Sequence, residues 1–317
     1  MSRITPLLPR RRRCIAFSTL AQYAQGLTPT PISLSCHWNT QPPTHAQLKK
    51  ASEFFRHAST EFLWSKENFK DMPFGDSFGE SPEVCFLGRS NVGKSSLLNS
   101  LLCRRIAFTS SKPGRTKLMS AFAVNPKPDE GTERLIVMDL PGYGKGGRAE
   151  WGQQIIKYLE KRRQLKRAFL LVDAEHGLKN SDRQMLNVFR DVNVPFQVIL
   201  SKADKLMAPR DREGCLDSQR LGQVITDVKQ ALCRDGLNEG SAVGEIIACS
   251  SEKWMHGRRL GINEVRFAAL RAAGLDYRED KRRPHPSEIV TYDQLFPVAA
   301  VAQDRNFSAT HNPRPVK

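Results

Sequence analysis

The segment Gly88-Arg-Ser-Asn-Val-Gly93-Lys94-Ser95 decides the fold, because it fits the pattern GxxxxGK(S/T) of a phosphate-binding loop. It follows the apolar run 83–87, typical of a buried strand, and opens a segment with helical spacing, as the pattern requires. The glycines let backbone N–H groups turn inward around phosphate oxygens, and the helix start adds partial positive charge. We expect Lys94 to neutralise the β- and γ-phosphates and the Ser95 hydroxyl to ligate Mg²⁺. All eight residues are candidate nucleotide contacts: Gly88, Arg89, Ser90, Asn91, Val92, Gly93, Lys94 and Ser95.

Outside this loop, continuous apolar runs alternate with segments of helical spacing. The runs that predict strands are 83–87, 118–124, 134–139, 168–173, 196–200 and 245–249. Strands without polar alternation, separated by helices, indicate a mostly parallel sheet covered on both faces. The sequence therefore predicts a three-layer α/β domain around a mostly parallel six-stranded sheet.

Two segments after the loop predict contacts to Mg²⁺ and to the γ-phosphate. In Asp139-Leu-Pro-Gly142, which ends a predicted strand, the carboxylate can hold Mg²⁺ through water and the glycine N–H can meet the γ-phosphate. The hydroxyl of Thr116 can complete the metal shell only while the γ-phosphate is present, which orders its segment in the triphosphate state. The candidate catalytic residues are Lys94, Thr116 and Gly142, and the candidate metal ligands are Ser95, Thr116 and Asp139. Their neighbours are further candidate nucleotide contacts: Gly114, Arg115, Lys117, Leu118, Leu140 and Pro141.

Two segments nearer the C-terminus predict recognition of guanine. In Ser201-Lys-Ala-Asp204, the carboxylate can accept hydrogen bonds from guanine N1 and N2, and the stem of Lys202 can cover the base. Adenine lacks matching donors, so this segment conflicts with the alternative of a P-loop ATPase. In Cys249-Ser-Ser251, a backbone N–H can reach guanine O6. The candidate base contacts are Ser201, Lys202, Ala203, Asp204, Cys249, Ser250 and Ser251.

Taken together, the strings GRSNVGKSSLLN, PGRTK, DLPGYG, SKADK and CSS resemble the EngB family of the TrmE–Era–EngA–EngB–septin group of GTPases. The resemblance extends over about residues 46–273. It implies a Ras-like P-loop GTPase domain that binds GTP and GDP with Mg²⁺ and hydrolyses GTP slowly. It also implies a role in assembling the large ribosomal subunit, here the mitochondrial one.

Three residues depart from related sequences or leave alternatives open. Ser201 stands where Asn or Thr is usual, and its hydroxyl can still brace the phosphate loop. Tyr143 stands where Ras-like enzymes have a glutamine that orients the attacking water, so we expect slow turnover without a partner. The alternative is a GTP-dependent binding module or tether without significant hydrolysis. Asn91 can help hold a K⁺ ion near the β/γ-bridge, or it can be a turn residue only.

A net charge of +16, from 49 Lys and Arg against 33 Asp and Glu, suits a polyanionic partner such as ribosomal RNA. One cluster lies at the end of a predicted helix and comprises Lys157, Lys161, Arg162, Arg163, Lys166 and Arg167. Helical spacing places Lys157 and Lys161 on one face. The cluster predicts contact with the RNA of a mitochondrial large-subunit precursor, or else a solvated basic surface.

The chain divides into four predicted parts. Residues 1–45, rich in Arg, Ser, Thr and Pro and free of acids, are typical of a disordered mitochondrial targeting segment. The run Arg10–Arg13 could instead be a nuclear signal or an RNA-binding arm, which leaves a nuclear or cytosolic location as the alternative to the mitochondrial matrix. We expect an N-terminal helix and linker over 46–82, an EngB-type G domain over 83–275 and a disordered basic tail over 276–317.

Other features exclude whole classes of protein. The seven cysteines are odd in number and form no CxxC pair, so neither a disulfide framework nor a zinc ribbon is supported. The sequence contains no run of 18 apolar residues, which argues against a membrane-spanning helix. We expect a monomer.

Overall fold

A computed structural model describes residues 35–73, 81–105, 118–125, 134–143, 149–206, 218–233, 242–252, 254–255 and 258–275. The predictions for 1–34, for Thr116 and its neighbours in 106–117, and for the tail 276–317 lie outside the described residues.

Ten strands and six helices are defined in the described residues. The strands are β1 (Cys36–His37), β2 (Thr60–Lys66), β3 (Glu83–Gly88), β4 (Met119–Val124), β5 (Leu135–Asp139), β6 (Leu165–Asp173), β7 (Phe196–Ser201), β8 (Ala242–Ala248), β9 (Trp254–Met255) and β10 (Arg258–Arg259). The helices are α1 (His45–His57), α2 (Lys94–Leu101), α3 (Ala149–Lys161), α4 (Asn180–Asp191), α5 (Ser218–Cys233) and α6 (Ile262–Ala273).

Eight of the strands form one sheet in the order β1-β8-β7-β6-β3-β5-β4-β2, and β9 and β10 form a separate hairpin. The five central strands, β8-β7-β6-β3-β5, run parallel to one another. The outer strands β1, β4 and β2 pair antiparallel. All six predicted strands are present, and the prediction of a mostly parallel sheet is confirmed.

Helices cover both faces of this sheet, so the predicted three layers are confirmed. Along β3, Cys85 and Leu87 pack on one face with residues of α3, α4 and α5. Val84 and Phe86, which alternate with them, pack on the other face with residues of α1, α2 and α6. Both faces of β3 are buried, because helices cover each of them.

The prediction of six strands was incomplete, because the sheet has two further edge strands. Strand β2 lies in the predicted helix and linker of 46–82 and pairs with β4 at the edge of the sheet. Its register shifts between Phe62 and Trp64, and this irregularity breaks the alternation by which an edge strand is recognised in a sequence.

The predicted disordered leader 1–45 extends too far toward the body of the protein. Strand β1 pairs with β8, and Trp38 N donates to Gly244 O at 2.9 Å. Helix α1 then begins with a capping box, in which the Thr44 side chain and Gln47 satisfy each other's backbone N–H groups. A two-residue strand is too short to produce a periodic pattern, so the sequence carried no signal for it.

No helix within the described ranges combines the length and the apolar character needed to cross a lipid bilayer.

We predict that Gly244→Ala releases β1 from the sheet. A Cβ built on Gly244 would lie 2.7 Å from the backbone nitrogen of Asn39, a contact that real Cβ atoms essentially never make. We expect a loss of about 1–3 kcal/mol in the free energy of unfolding, measured by urea denaturation. Hydrogen exchange at the amide of Trp38, which bonds to Gly244 O, should accelerate.

The matched control is Gly222→Ala in α5, where an added Cβ meets nothing within 4 Å. Because alanine favours helix over glycine by about 1 kcal/mol, this variant should be neutral or more stable. Equal stability of the two variants would contradict the docking of β1.

Candidate nucleotide-binding site

Four parallel strands end side by side and bring the predicted segments to one edge of the sheet. Gly88 ends β3, Asp139 ends β5, Asp173 ends β6 and Ser201 ends β7, and these strands are neighbours in the order β5-β3-β6-β7. Open α/β sheets bind ligands at this edge, outside the carboxyl ends of their strands.

The phosphate loop between β3 and α2 has the backbone that the glycine pattern predicts. Gly93 has φ +95°, which disfavours any residue with a side chain, and Asn91 has φ +65°, which asparagine tolerates. At Gly88 a Cβ would lie 2.9 Å from Leu171 O, so the close packing of β3 on β6 also requires glycine. The loop leads directly into α2, whose first N–H groups have no partner within the helix.

The side chains of Lys94 and Asp139 form a buried ion pair at the centre of the site. Lys94 is 8% exposed and Asp139 is 5% exposed, and the Lys94 ammonium donates to the Asp139 carboxylate. Ser95 lies half-buried in the first turn of α2. A hydroxyl and a carboxylate are the oxygen donors that Mg²⁺ prefers, so Ser95 and Asp139 fit a magnesium site beside the phosphate loop. When bound, magnesium would neutralise phosphate charge.

Gly142 and Tyr143 lie directly against the phosphate loop. Ser90 N donates to Tyr143 O at 3.2 Å, and Tyr143 N donates to Gly88 O at 3.2 Å. A Cβ on Gly142 would lie 3.2 Å from Ser90 Cα, so this approach leaves little room for a side chain. Leu140 and Pro141, which precede them, are buried. The predicted γ-phosphate contact and the phosphate loop are therefore adjacent.

The predicted brace between Ser201 and the phosphate loop is present. Ser201 Oγ lies 2.6 Å from Val92 O and 3.3 Å from Val172 O, within hydrogen-bonding reach of each. A serine hydroxyl can therefore reach the loop carbonyl at the position where asparagine or threonine is usual.

Lys202 also ties the base-reading segment to the loop. Its ammonium donates to Asn91 O at 2.7 Å and to Asp173 Oδ2 at 2.8 Å. Burial would raise the pKa of Asp173, but the hydrogen bond and the charge of Lys202 outweigh it and hold that pKa below its usual value. Asp173 was not predicted as a site residue, because nothing in a terminal strand aspartate indicates its partner.

The two segments predicted to contact the base lie against each other. Ala203 N donates to Cys249 O at 3.0 Å and joins the two segments. Burial, and then the charges of Glu264 and Asp204, raise the pKa of the Cys249 thiol to about 12. Within the described part of the chain, the Asp204 carboxylate has no hydrogen-bond partner in the protein and remains available as an acceptor.

Ser250 and Ser251 follow β8 beside this pair of segments. The amide of Ser250 donates to Leu260 O at 2.9 Å. That of Ser251 donates to no protein group among the described residues, which suits the predicted bond to guanine O6.

Arg89 is turned away from the phosphate loop toward helix α4. Its Nε donates to the carboxylate of Asp182, with Nε–O distances of 3.2 and 3.0 Å. The Tyr143 hydroxyl donates to the same carboxylate at 2.8 Å. Asp182 was missed because its place in the first turn of a helix reads as an ordinary capping aspartate.

Part of the predicted site falls outside the structure's described ranges, and part is exposed. Gly114, Arg115, Thr116 and Lys117 lie outside the described residues. Leu118, at the start of β4, is 41% exposed.

The basic cluster at the end of α3 is divided between surface and core. The exposed members are Lys157, Lys161, Arg163 and Lys166. Arg162 is buried and pairs with Glu83 at 2.5 Å. Arg167 donates to Gln197 Oε1 at 3.0 Å. The surface available to a polyanion is therefore smaller than the sequence indicates.

Known proteins were compared with this chain. A profile of a family described as 50S ribosome-binding GTPase matches residues 83–202. The "Probable GTP-binding protein EngB" of Roseobacter denitrificans is 36% identical over 219 residues, which cover 67% of this chain and 89% of that protein. The protein of the same name from Chlorobaculum parvum is 41% identical over 174 residues, covering 51% and 85%. A solved structure described as a probable GTP-binding protein engB aligns with a TM-score of 0.40 and 20% identity, over 60% of this chain and 98% of that one.

We predict that Lys202→Met lowers the affinity for Mg²⁺-GDP about tenfold, measured by titration calorimetry. The variant keeps the apolar stem but loses the bonds to Asn91 O and Asp173, so the phosphate loop loses a tie and a buried carboxylate loses its partner.

The control is Lys205→Met, three residues further along the same segment. Lys205 pairs with exposed Glu175 at 2.8 Å, and an exposed pair of this kind contributes little. If both variants bind GDP as the parent does, Lys202 does not support the loop.

Proposed function

The chain belongs to the EngB family of GTP-binding proteins and is a GTPase, and from that premise we propose that it is an assembly switch for the mitochondrial large ribosomal subunit. The observation that carries the nucleotide chemistry is the convergence of phosphate loop, Asp139 and Asp204 segments at one sheet edge. The GTP form would dock on an immature large subunit, and hydrolysis would release it. GTP, GDP and Mg²⁺ are the ligands that this role requires.

We propose that hydrolysis is slow without a partner. Tyr143 occupies the position after Gly142, and its hydroxyl donates to Asp182 rather than pointing to the site. No side chain at this position can therefore orient an attacking water as glutamine does in Ras-like enzymes. A docked partner would supply the missing group or move the segment.

The exposed basic residues of α3 and β6 support a ribosomal partner. Lys157 and Lys161 are one helical turn apart and both exposed, and Arg163 and Lys166 extend the same surface. Cations at this spacing match the phosphates of RNA, and the matched profile carries 50S ribosome binding in its description. We propose that this surface contacts ribosomal RNA.

We propose the mitochondrial matrix as the location, on the composition of the leader. Residues 1–45 hold arginines and hydroxyl side chains but no acids. The inner membrane potential draws such positive charge inward, by roughly 2.3 kcal/mol per charge per 100 mV. A nuclear or cytosolic site remains the alternative for the four-arginine run Arg10–Arg13.

Tyr143 also supports a second candidate function, a GTP-dependent tether without significant hydrolysis. A tether needs only the binding contacts, all of which are independent of the missing glutamine. K⁺ could restore part of the charge stabilisation, because Asn91 lies on the loop beside the phosphate site.

Multiple-turnover phosphate release separates the switch from the tether. We expect slow release from the protein alone and acceleration by mitochondrial large-subunit precursors, toward the roughly 10⁵-fold that partners reach in related GTPases. Lys94→Met, which removes the phosphate-binding ammonium, controls for contaminating activity. GTP-dependent binding to the particles without any release would favour the tether, and equal rates in KCl and NaCl would exclude the K⁺ role.

We predict that Lys157→Gln/Lys161→Gln weakens binding to the same precursors and flattens its salt dependence. Each lost phosphate contact should reduce the slope of log affinity against log salt by roughly 0.7–0.9. The control Lys49→Gln/Lys70→Gln removes the same charge from exposed positions on α1 and the turn after β2. An unchanged slope in the first variant, or equal changes in both, would refute the docking surface.

A further inference from the structure

The carboxylate of Asp182 joins two parts of the nucleotide site that are far apart in the sequence. It accepts hydrogen bonds from Tyr143 Oη at 2.8 Å and from Arg89 Nε at 3.2 Å. Its second oxygen accepts the backbone N–H of Lys179 at 2.9 Å. Asp182 is 0% exposed, so water cannot replace these partners.

In the contact with Tyr143, the protonated phenol hydroxyl donates the hydrogen bond to Asp182. Burial, and then the charge of Asp182, raise the pKa of Tyr143 far above its usual value. The hydroxyl therefore keeps its proton at every pH at which the protein would be studied. Removing that one atom would leave the buried carboxylate with one donor fewer.

Arg89 depends on the same carboxylate. Its Nη2 is buried and has no hydrogen-bond partner among the described residues. The ion pair with Asp182 is thus the contact that fixes this guanidinium against the first turn of α4. Arg89 and Tyr143 belong to two backbone segments that are joined by the hydrogen bond from Ser90 N to Tyr143 O. Asp182 therefore bonds to a side chain from each of these segments.

We propose that Asp182 is a positioning residue that lets the site distinguish GTP from GDP. The residue before Tyr143 is Gly142, whose N–H is the group expected at the γ-phosphate, and its backbone is held against Ser90. GDP has no γ-phosphate, so it uses the phosphate loop and the base-reading segments but not this amide. Without the Asp182 contact, Gly142 must be ordered when GTP binds, so the affinity for GTP falls while the affinity for GDP does not. The inference rests on the proposed nucleotide chemistry of this site.

The test compares the dissociation constants of GDP and of a non-hydrolysable GTP analogue, both with Mg²⁺, in the full-length protein. In Tyr143→Phe and Asp182→Asn we expect about tenfold weaker binding of the GTP analogue, the scale of a hydrogen bond to a charged group. Binding of GDP should change less than about twofold. The double variant should lose less than the sum of the two single variants, because both changes act on the contact between Tyr143 and Asp182.

Tyr158→Phe is the matched control. It removes the same atom from a second tyrosine that donates to a carboxylate, Glu83 Oε2 at 3.2 Å, at the opposite end of β3. It should lower the unfolding temperature and leave the ratio of the two constants unchanged.

Equal losses for both nucleotides in Tyr143→Phe, or an unchanged ratio, would overturn the positioning role of Asp182. A shift of the ratio in Tyr158→Phe would show that a general loss of stability produces the effect, and would overturn it as well. If Asp182→Asn does not fold, Tyr143→Phe alone decides. Failure of the unaltered protein to bind either nucleotide would instead refute the GTPase assignment.

Discussion

Two hydrogen bonds from the segment 201–204 hold the phosphate loop in place, and the geometry of the candidate site depends on them. Ser201 Oγ bonds to Val92 O, and Lys202 Nζ bonds to Asn91 O. Asn91 has φ +65°, a region that few residues other than glycine adopt, so the bond from Lys202 to its carbonyl oxygen helps to hold it there. The same segment carries Asp204, so the residues proposed to select the base are continuous with those that contact the phosphate loop.

The buried ion pairs differ in whether a ligand could replace one partner's counter-charge. Lys94–Asp139 lies at the carboxyl edge of the sheet, where a nucleotide phosphate and Mg²⁺ would offer each partner a new counter-charge. Arg162–Glu83 lies at the other end of β3, where Tyr158 Oη also donates to Glu83 and Arg162 also donates to Pro73 O. Buried pairs are weak evidence for stability, because desolvation offsets their attraction. The position of a pair in the sheet, rather than its burial, separates a ligand-responsive pair from a structural one.

The sequence predicts the features that depend on neighbouring residues and misses those that depend on contacts between distant residues. The six strands β3 to β8 and the phosphate loop are local patterns, and all of them were predicted correctly. Strand β2 was missed because its bulge near Phe62 breaks the alternation, and Arg162 was assigned to the surface because helical spacing does not reveal Glu83 as its partner. Asp182 illustrates the same limit, since it and Tyr143 are 39 residues apart and meet only through the fold.

The short segment from Asp173 to Asp182 reaches both ends of the site. Asp173 accepts from Lys202 on the base side, and its backbone oxygen accepts from Gly177 N, which closes the turn toward α4. Asp182, in the first turn of α4, accepts from Tyr143 on the phosphate side. The first turn of α4 is also closed by backbone hydrogen bonds, because Asp182 N and Arg183 N both donate to Lys179 O. Under the proposed function, a partner that moved the start of α4 would reach both Lys202 and Tyr143 through this one segment.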